Sequence, residues 1–145
     1  MMFSKSCEYA LKAVIHLCIK AKGESRLNIS EISRAIDSPE PFTAKILQTL
    51  SRHGIISSIK GPGGGFYIDK KAAPIRVIEI IDLIDGKHAF DRCGLGLKDC
   101  NEDRPCPIHK EFKSYSVQLK HLLETKTIQE FAKEISRGNA FLINT

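Results

Sequence analysis

The stretch "IISSIKGPGGGFYI", residues 55–68, contains four of the ten glycines of the chain within five positions. Its first half, residues 55–60, is rich in β-branched residues, and Phe66, Tyr67 and Ile68 also favour a strand. The glycines between them favour a tight turn, because glycine adopts positive φ without steric cost. The stretch therefore predicts a β-hairpin with a glycine-rich tip.

Two other interpretations of this stretch fail. A phosphate-binding loop places Lys and then Ser or Thr after its glycines, whereas here Lys60 precedes the glycines and Phe66 follows them. A flexible linker would not be bracketed by two strand-forming segments. We therefore expect the hairpin tip, with Lys60, Gly63 and Gly64, to approach a sugar–phosphate backbone closely.

Two short helices are predicted immediately before the hairpin. Asn28 and Glu31 have the spacing of a capping box, which begins a helix that ends near Asp37. Ser38 is suited to cap the next helix, which ends at Gly54. Two short helices joined by about three residues form a helix-turn-helix, and a hairpin directly behind them makes a winged helix.

The second of these helices has an apolar and a polar face. The residues expected to face inward are Phe42, Ile46, Leu47 and Leu50. The residues predicted to contact DNA in the major groove are Ser38, Glu40, Thr43, Lys45, Gln48 and Arg52. Gln pairs bidentately with adenine, and Glu accepts a hydrogen bond from cytosine.

Four more helices are expected outside this unit. The first covers residues 4–22 and stops at Gly23, and another is opened by Pro74 and ends at Gly86. A long helix over residues 107–124 carries apolar residues at alternating spacings of four and three, typical of a coiled-coil contact, at Ile108, Phe112, Tyr115, Leu119 and Leu122. A short last helix follows Thr127 and ends before Gly138.

Charge is unevenly distributed along the chain. Residues 1–75 contain 11 Lys and Arg against 6 Asp and Glu, whereas residues 76–145 contain 11 of each. A basic half suggests a polyanion-binding module. No apolar run reaches membrane length and no export signal is evident, so we expect a cytoplasmic protein with reduced thiols and no membrane partner. No arrangement typical of a catalytic site stands out, so we expect no enzyme.

A glycine-rich loop carries three of the five cysteines. Within "CGLGLKDCNEDRPCPIH", residues 93–109, Cys93, Cys100, Cys106 and His109 follow at gaps of six, five and two residues. Three thiolates and an imidazole form a four-ligand set for a soft or borderline metal. The spacing alone leaves an iron–sulfur cluster, zinc and bare redox thiols equally open. Cys106 stands just before a helix N-terminus, which predicts a lowered thiol pKa.

The order of these features resembles the BadM/Rrf-type winged-helix regulators. The segments that carry the resemblance are "SKSCEYALKAV", "ISEISRAIDSPEPFTAKILQTLSRHGII", "SIKGPGGGFYI" and "VIEIIDLIDG". The resemblance implies a transcriptional regulator and not an enzyme. It also implies a homodimer that is joined by the long helix and binds a palindromic operator in double-stranded DNA.

The resemblance further implies a cluster ligand set. Some members of the family hold a cluster with three loop cysteines, which match Cys93, Cys100 and Cys106, although the first gap is six residues here where five is usual. His109 matches the fourth ligand of the iron–sulfur-assembly regulators, which hold a 2Fe–2S cluster. Glu8 falls where the nitric-oxide-sensing members supply an Asp from the partner subunit to a 4Fe–4S cluster, so Glu8 is the alternative fourth ligand.

The sequence thus predicts a mainly α fold with a small β-hairpin wing, namely a winged helix-turn-helix plus a long C-terminal dimerisation helix. The expected segments are a DNA-binding domain (1–72), a linking buried helix (73–89), a cysteine-rich sensor loop (90–108) and dimerisation helices (109–145). The hypothesis is a repressor whose DNA affinity responds to an iron–sulfur cluster, through redox or nitric oxide sensing. The alternative is a zinc- or thiol-based redox or interaction protein without a cluster.

Overall fold

A computed structural model describes residues 3–21 and 25–143 of the protein. The fold is mainly helical with one antiparallel hairpin, as predicted. Its elements in chain order are α1 (Lys5–Lys20), α2 (Ile29–Ala35), α3 (Glu40–Arg52), β1 (Ser57–Ile59), β2 (Gly65–Tyr67), α4 (Val77–Asp85), α5 (His109–Thr125) and α6 (Ile128–Ser136), with a 3-10 turn at Ala89–Asp91 between α4 and α5. Among the described residues, no helix is both long and apolar enough to cross a membrane.

The first helix, α1, lies at the centre of the fold and contacts α3, α4 and α6. It begins at Ser4, whose hydroxyl accepts a 3.0 Å hydrogen bond from the Cys7 N–H. Cys7, Val14 and Leu17 are among its fully buried side chains. The predicted end of this helix at Lys22, with its stop at Gly23, lies outside the described residues.

The helix-turn-helix is formed by α2 and α3. The Asn28 and Glu31 side chains each accept a 2.8 Å hydrogen bond from the other residue's backbone N–H, so the predicted capping box is present. The predicted cap of α3 is wrong by one residue, since Pro39 and not Ser38 occupies the position before the helix. The Ser38 hydroxyl instead bonds the Thr43 hydroxyl.

The wing is the hairpin of β1 and β2, with Ser58 opposite Phe66. The first strand is shorter than the predicted 55–60, and the second has the predicted length but begins one residue earlier, at Gly65. The sequence did not predict the pairing of Leu27 with Phe66, in which the Leu27 N–H donates to the Phe66 carbonyl at 3.0 Å and the Phe66 N–H donates back at 2.8 Å. This bridge joins the wing to the segment that begins α2.

The start of α6 is joined to the segment that begins α4. The Ile128 N–H donates to the Ile75 carbonyl at 2.7 Å, and the Val77 N–H donates to the Lys126 carbonyl at 3.0 Å. The helix α4 starts three residues after Pro74, which was expected to open it. One apolar cluster runs from Cys7 in α1 to Ala132 in α6, so the first and last helices share a core.

Candidate DNA interface and cysteine loop

A groove of about 630 Å³ separates α3 from the wing. Gln48 and Arg52 line it from α3, and Lys60 lines it from the hairpin. The Ser51 hydroxyl donates a 3.0 Å hydrogen bond to the Ser58 hydroxyl, which connects the two walls. The structure therefore brings three of the predicted DNA-contacting side chains to one groove.

The other predicted DNA contacts are distributed around this groove. Glu40 and Lys45 are exposed on α3, Gly63 is exposed at the hairpin tip, and Ser38 and Gly64 are half-buried.

The prediction for Thr43 is wrong. Its side chain is only 1% exposed, and its hydroxyl donates to the Pro39 carbonyl at 2.9 Å, so it cannot reach a base edge. The inward prediction for Phe42 is also wrong, because this residue is 54% exposed. Both errors have one physical cause, since Thr43 occupies the inward position in the first turn of α3.

The hairpin tip fits glycine for steric reasons. A Cβ atom on Gly64 would lie 2.1 Å from the Ile59 carbonyl oxygen, and one on Gly65 would lie 2.6 Å from that of Leu27. Gly61 and Gly63 have φ values of +93° and +74°, which L side chains rarely adopt. The backbone at the tip is therefore compact and uncovered by side chains.

The face that carries the groove is cationic. Lys45, Arg52 and Lys60 are all exposed on it. Sequence reasoning missed Arg26, whose guanidinium lies 5.5 Å from the centre of the Tyr67 ring and so adds a cation beside the wing. Its place could not be read from the sequence, since Arg26 and Tyr67 are brought together by the Leu27 bridge. Such a surface suits the phosphates of duplex DNA.

The cysteine loop contacts α5 at three places. The Ser116 hydroxyl donates to the Phe90 carbonyl at 2.8 Å in a buried position. Gly94 lies against the Phe112 ring, where an added Cβ would be 2.7 Å from a ring carbon. Farther along, Glu102 pairs with Lys113 of α5. The loop is therefore packed against α5.

The four predicted metal ligands form two pairs. The Cys100 sulfur lies 3.3 Å from His109 Nδ1. The Cys106 thiol is hydrogen-bonded to the Cys93 sulfur. Backbone N–H groups of Leu95 and Leu97 lower the pKa of the Cys93 thiol by bonding its sulfur.

The predicted lowering of the Cys106 pKa is wrong. Burial of its sulfur raises the pKa, as do the nearby sulfurs of Cys93 and Cys100, and these effects outweigh the Ile108 N–H that bonds it.

Two further cysteines lie in the core of α1. Burial, followed by the charges of Asp85 and Glu8, raises the pKa of Cys7 to about 12. Cys18 is also buried, as expected.

The donor chemistry of the loop fits an iron–sulfur cluster or zinc. Cys93 and Cys100 are among the residues that line a cavity of about 800 Å³, and Cys106 and His109 each pair with one of them. Backbone N–H groups directed at the Cys93 sulfur are typical of thiolate ligands. Within the parts of the chain that the structure describes, no three such donors converge on one point. Glu8, the alternative fourth ligand, forms an ion pair within α1, with its carboxylate 3.4 Å from Lys5 Nζ.

The long helix α5 presents an exposed apolar stripe. Ile108, which immediately precedes it, and Tyr115 and Leu122 recur every seven residues and are 39%, 71% and 44% exposed. Phe112 and Leu119 of the predicted coiled-coil seam are half-buried, on the face that also carries buried Ser116 and Leu123. The predicted seam is therefore divided between an inward face and an outward stripe.

A helix-turn-helix with a glycine-tipped hairpin and a cationic groove between them defines a winged-helix DNA-binding regulator. The chain belongs to the Rrf2 family, "Iron-dependent Transcriptional regulator", whose family model matches residues 3–134. A protein of Aquifex aeolicus assigned to the HTH-type transcriptional regulators is 31% identical over 132 residues, 90% of each chain. The transcriptional regulator IscR of Xenorhabdus nematophila is 24% identical, over 92% of this chain and 80% of the relative.

Solved structures show the same fold. CymR, described as the global cysteine regulator of B. subtilis, matches with a TM-score of 0.71 at 21% identity, over 90% of this chain and 95% of that one. IscR of T. potens matches with a TM-score of 0.67 at 17% identity, over 94% and 90%. Staphylococcus aureus CymR, solved in an oxidized form, matches with a TM-score of 0.69 at 19% identity, over 91% and 96%.

Proposed function

We propose that this Rrf2-family regulator is a cluster-responsive repressor. Cys93, Cys100, Cys106 and His109 would hold an iron–sulfur cluster, with the 2Fe–2S type favoured over 4Fe–4S. The observation that carries the proposal is the arrangement of these donors in two pairs, on the loop and the first residue of α5, with the Cys100 sulfur 3.3 Å from His109 Nδ1. A bound cluster supplies a group that responds to redox change or nitric oxide.

The DNA-binding part of the proposal uses the α3–wing groove. The exposed face of α3 enters the major groove, where Glu40, Lys45 and Gln48 contact base edges. Arg52, Lys60 and the amides of the hairpin tip contact phosphate or sugar. Two copies of the chain would bind half-sites of a palindromic operator about one helical turn apart.

The contacts of the chain support a route from the loop to α3. The loop follows Gly86 at the end of α4, and Asp85 accepts a hydrogen bond from the Ser4 N–H at the start of α1. The helix α1 packs in turn on α3. A loop that repacks would therefore act on α1 and α3 through the end of α4, which changes half-site spacing and affinity.

Anaerobic purification tests the cluster. We expect brown protein with iron and inorganic sulfide, and we expect Cys100→Ala and His109→Ala to lower both contents. Asp103→Ala, at an exposed loop position that does not line the cavity, is the control and should keep the colour. Colour lost in Glu8→Ala but kept in His109→Ala would assign the fourth ligand to Glu8. Colourless wild-type protein that contains zinc would contradict the cluster.

A thiol-based switch is the second candidate, favoured by the hydrogen bond between the Cys106 thiol and the Cys93 sulfur. Oxidation by hydrogen peroxide would join these sulfurs in a disulfide, and the two electrons and two protons released would reduce the peroxide to two molecules of water. Intact-mass and peptide analysis of peroxide-treated protein would show a loss of about 2 Da and a Cys93–Cys106 linked peptide. An unchanged mass would exclude this switch.

Self-association through the α5 stripe is part of the proposal. Heptad-spaced apolar residues of this exposure are typical of a helix–helix contact between subunits. The double substitution of Tyr115→Asp and Leu122→Asp should convert a dimer to a monomer in sedimentation equilibrium. His121→Asp, at an exposed polar position of α5 outside the stripe, is the matched control and should remain dimeric. A monomeric wild-type protein would contradict the proposal.

A further inference from the structure

The ring of Phe42 is exposed in the first turn of α3. Its side chain is 54% exposed, and in the described part of residues 3–72 only Ile59, at 40%, is another large apolar side chain in the exposed class. Single exposed apolar side chains are common on protein surfaces, so it is the position of this ring on α3 that points to a role.

Local packing explains this exposure. Pro39 precedes the helix, and Thr43 fills the inward position above Ile46, Leu47 and Leu50, all of which are buried. Phe42 is therefore turned away from the core. It begins a stripe with spacings of three, four and three residues, formed by Phe42, Lys45, Thr49 and Arg52.

The neighbours of the ring are complementary to DNA. Lys45 and Arg52 are exposed cations on the same stripe, and Arg52 also lines the groove toward the wing. The ring is therefore continuous with the face that the fold presents to duplex DNA. In helix-turn-helix proteins the N-terminal residues of the second helix are those that contact base edges.

We propose that Phe42 determines sequence specificity by packing against the C5-methyl group of a thymine in each half-site. The methyl group is the apolar feature that a base pair presents in the major groove, and Phe is one of the side chains that contact it. The Phe42 ring has no hydrogen-bonding atom, so it reads this methyl group and not a donor or acceptor pattern. The assignment rests on the proposed placement of α3 in the major groove.

Deoxyuridine substitution isolates the methyl group. Wild-type protein first selects a bound duplex from a random library, and each thymine of that operator is then replaced singly by deoxyuridine. At one thymine per half-site we expect affinity to fall about fourfold, the equivalent of one buried methyl group at about 0.8 kcal/mol. Sequence positions that do not touch Phe42 should tolerate the replacement.

A second series of proteins identifies the side chain. Phe42→Ala should bind the thymine operator more weakly than wild type and should show no further loss on the uridine operator. Phe42→Leu should keep part of the thymine preference. Gln48→Ala is the control, because it should weaken binding while keeping the full uridine penalty. Circular dichroism checks that each variant is folded, as expected for an exposed position.

The outcomes separate this inference from the proposed function. Wild-type protein that selects no duplex contradicts the DNA-binding proposal itself. Protein that selects an operator without a uridine-sensitive thymine overturns the role of Phe42 alone, and so does a uridine penalty that persists undiminished in Phe42→Ala. Unchanged operator affinity in Phe42→Ala also overturns the role of Phe42 in DNA binding. It would favour a protein partner as the molecule that contacts the ring.

Discussion

The Ser4 N–H donates a 2.8 Å hydrogen bond to the carboxylate of Asp85, a residue 81 positions later in the chain. The Ser4 hydroxyl bonds the other oxygen of the same carboxylate. Ser4 also caps α1 by accepting from the Cys7 N–H. One side chain thus connects the start of α1 with the end of α4, directly before the cysteine loop.

Replacement of Ser4 should destabilise the protein. Ser4→Ala removes the helix cap and the hydroxyl bond to Asp85, and we expect the free energy of unfolding to fall by about 1–2 kcal/mol. Urea denaturation followed by circular dichroism measures it. Ser4→Thr keeps a capping hydroxyl and should recover much of the loss, whereas Ser136→Ala, at the exposed end of α6, should have little effect. A Ser4→Ala protein as stable as wild type would show that the link contributes nothing.

The hairpin tip allows a comparison of two adjacent glycines. Gly64→Ala places a Cβ 2.1 Å from the Ile59 carbonyl oxygen, a contact that only backbone movement relieves. Gly63→Ala meets no atom within 4 Å and has only the strain of its φ of +74°, about 1–2 kcal/mol. We expect Gly64→Ala to weaken DNA binding more, measured by fluorescence anisotropy. Equal affinities would contradict the close-packed hairpin.

Lys60 at the wing should contribute affinity without sequence preference. The plot of log K against log salt concentration has a negative slope, and loss of one phosphate contact reduces the magnitude of that slope by about 0.9. Lys60→Ala should therefore weaken binding to all duplexes alike and flatten that slope by about one unit. Lys110→Ala, an exposed lysine of α5, is the control and should leave the slope unchanged. A change in base preference would place Lys60 at a base edge instead.

Half-buried His16 should make stability depend on pH. Burial, followed by the charge of Lys20, lowers its pKa below the ordinary value of 6.5. The unfolded chain therefore binds a proton more readily than the folded one, and stability is lost as pH falls through about 6.5 and below. Urea titrations at a series of pH values should show a smaller decline in His16→Gln. A decline as steep as in wild type would exclude this residue as its source.

The fold was largely predictable because its signals are local. The capping boxes at Asn28 and Thr127 and the glycines of the hairpin act over a few residues, and the structure contains all of them. The pairing of Leu27 with Phe66 and the bond between Ser4 and Asp85 join segments far apart in sequence. The periodicity of apolar residues along the sequence does not predict contacts between such distant segments.

The sequence predicted which residue types form the candidate site better than it predicted how their side chains are arranged. Thr43 and Phe42 are adjacent on α3, and their roles depend on a small rotation of the helix that tertiary packing sets. The same holds for Cys106, where burial and neighbouring sulfurs outweigh the N–H donor that its position supplies. Local charge rules fail where packing changes the environment of a group.

Operator affinity measured in two states of one preparation tests the central claim most directly. Protein reconstituted anaerobically with iron and sulfide, and the same protein after chelation, are titrated against the selected operator at one salt concentration. We expect affinities that differ between the two states in wild type and coincide in Cys100→Ala. Equal wild-type affinities, in protein shown by its iron and sulfide content to have been loaded, would contradict a cluster-responsive regulator.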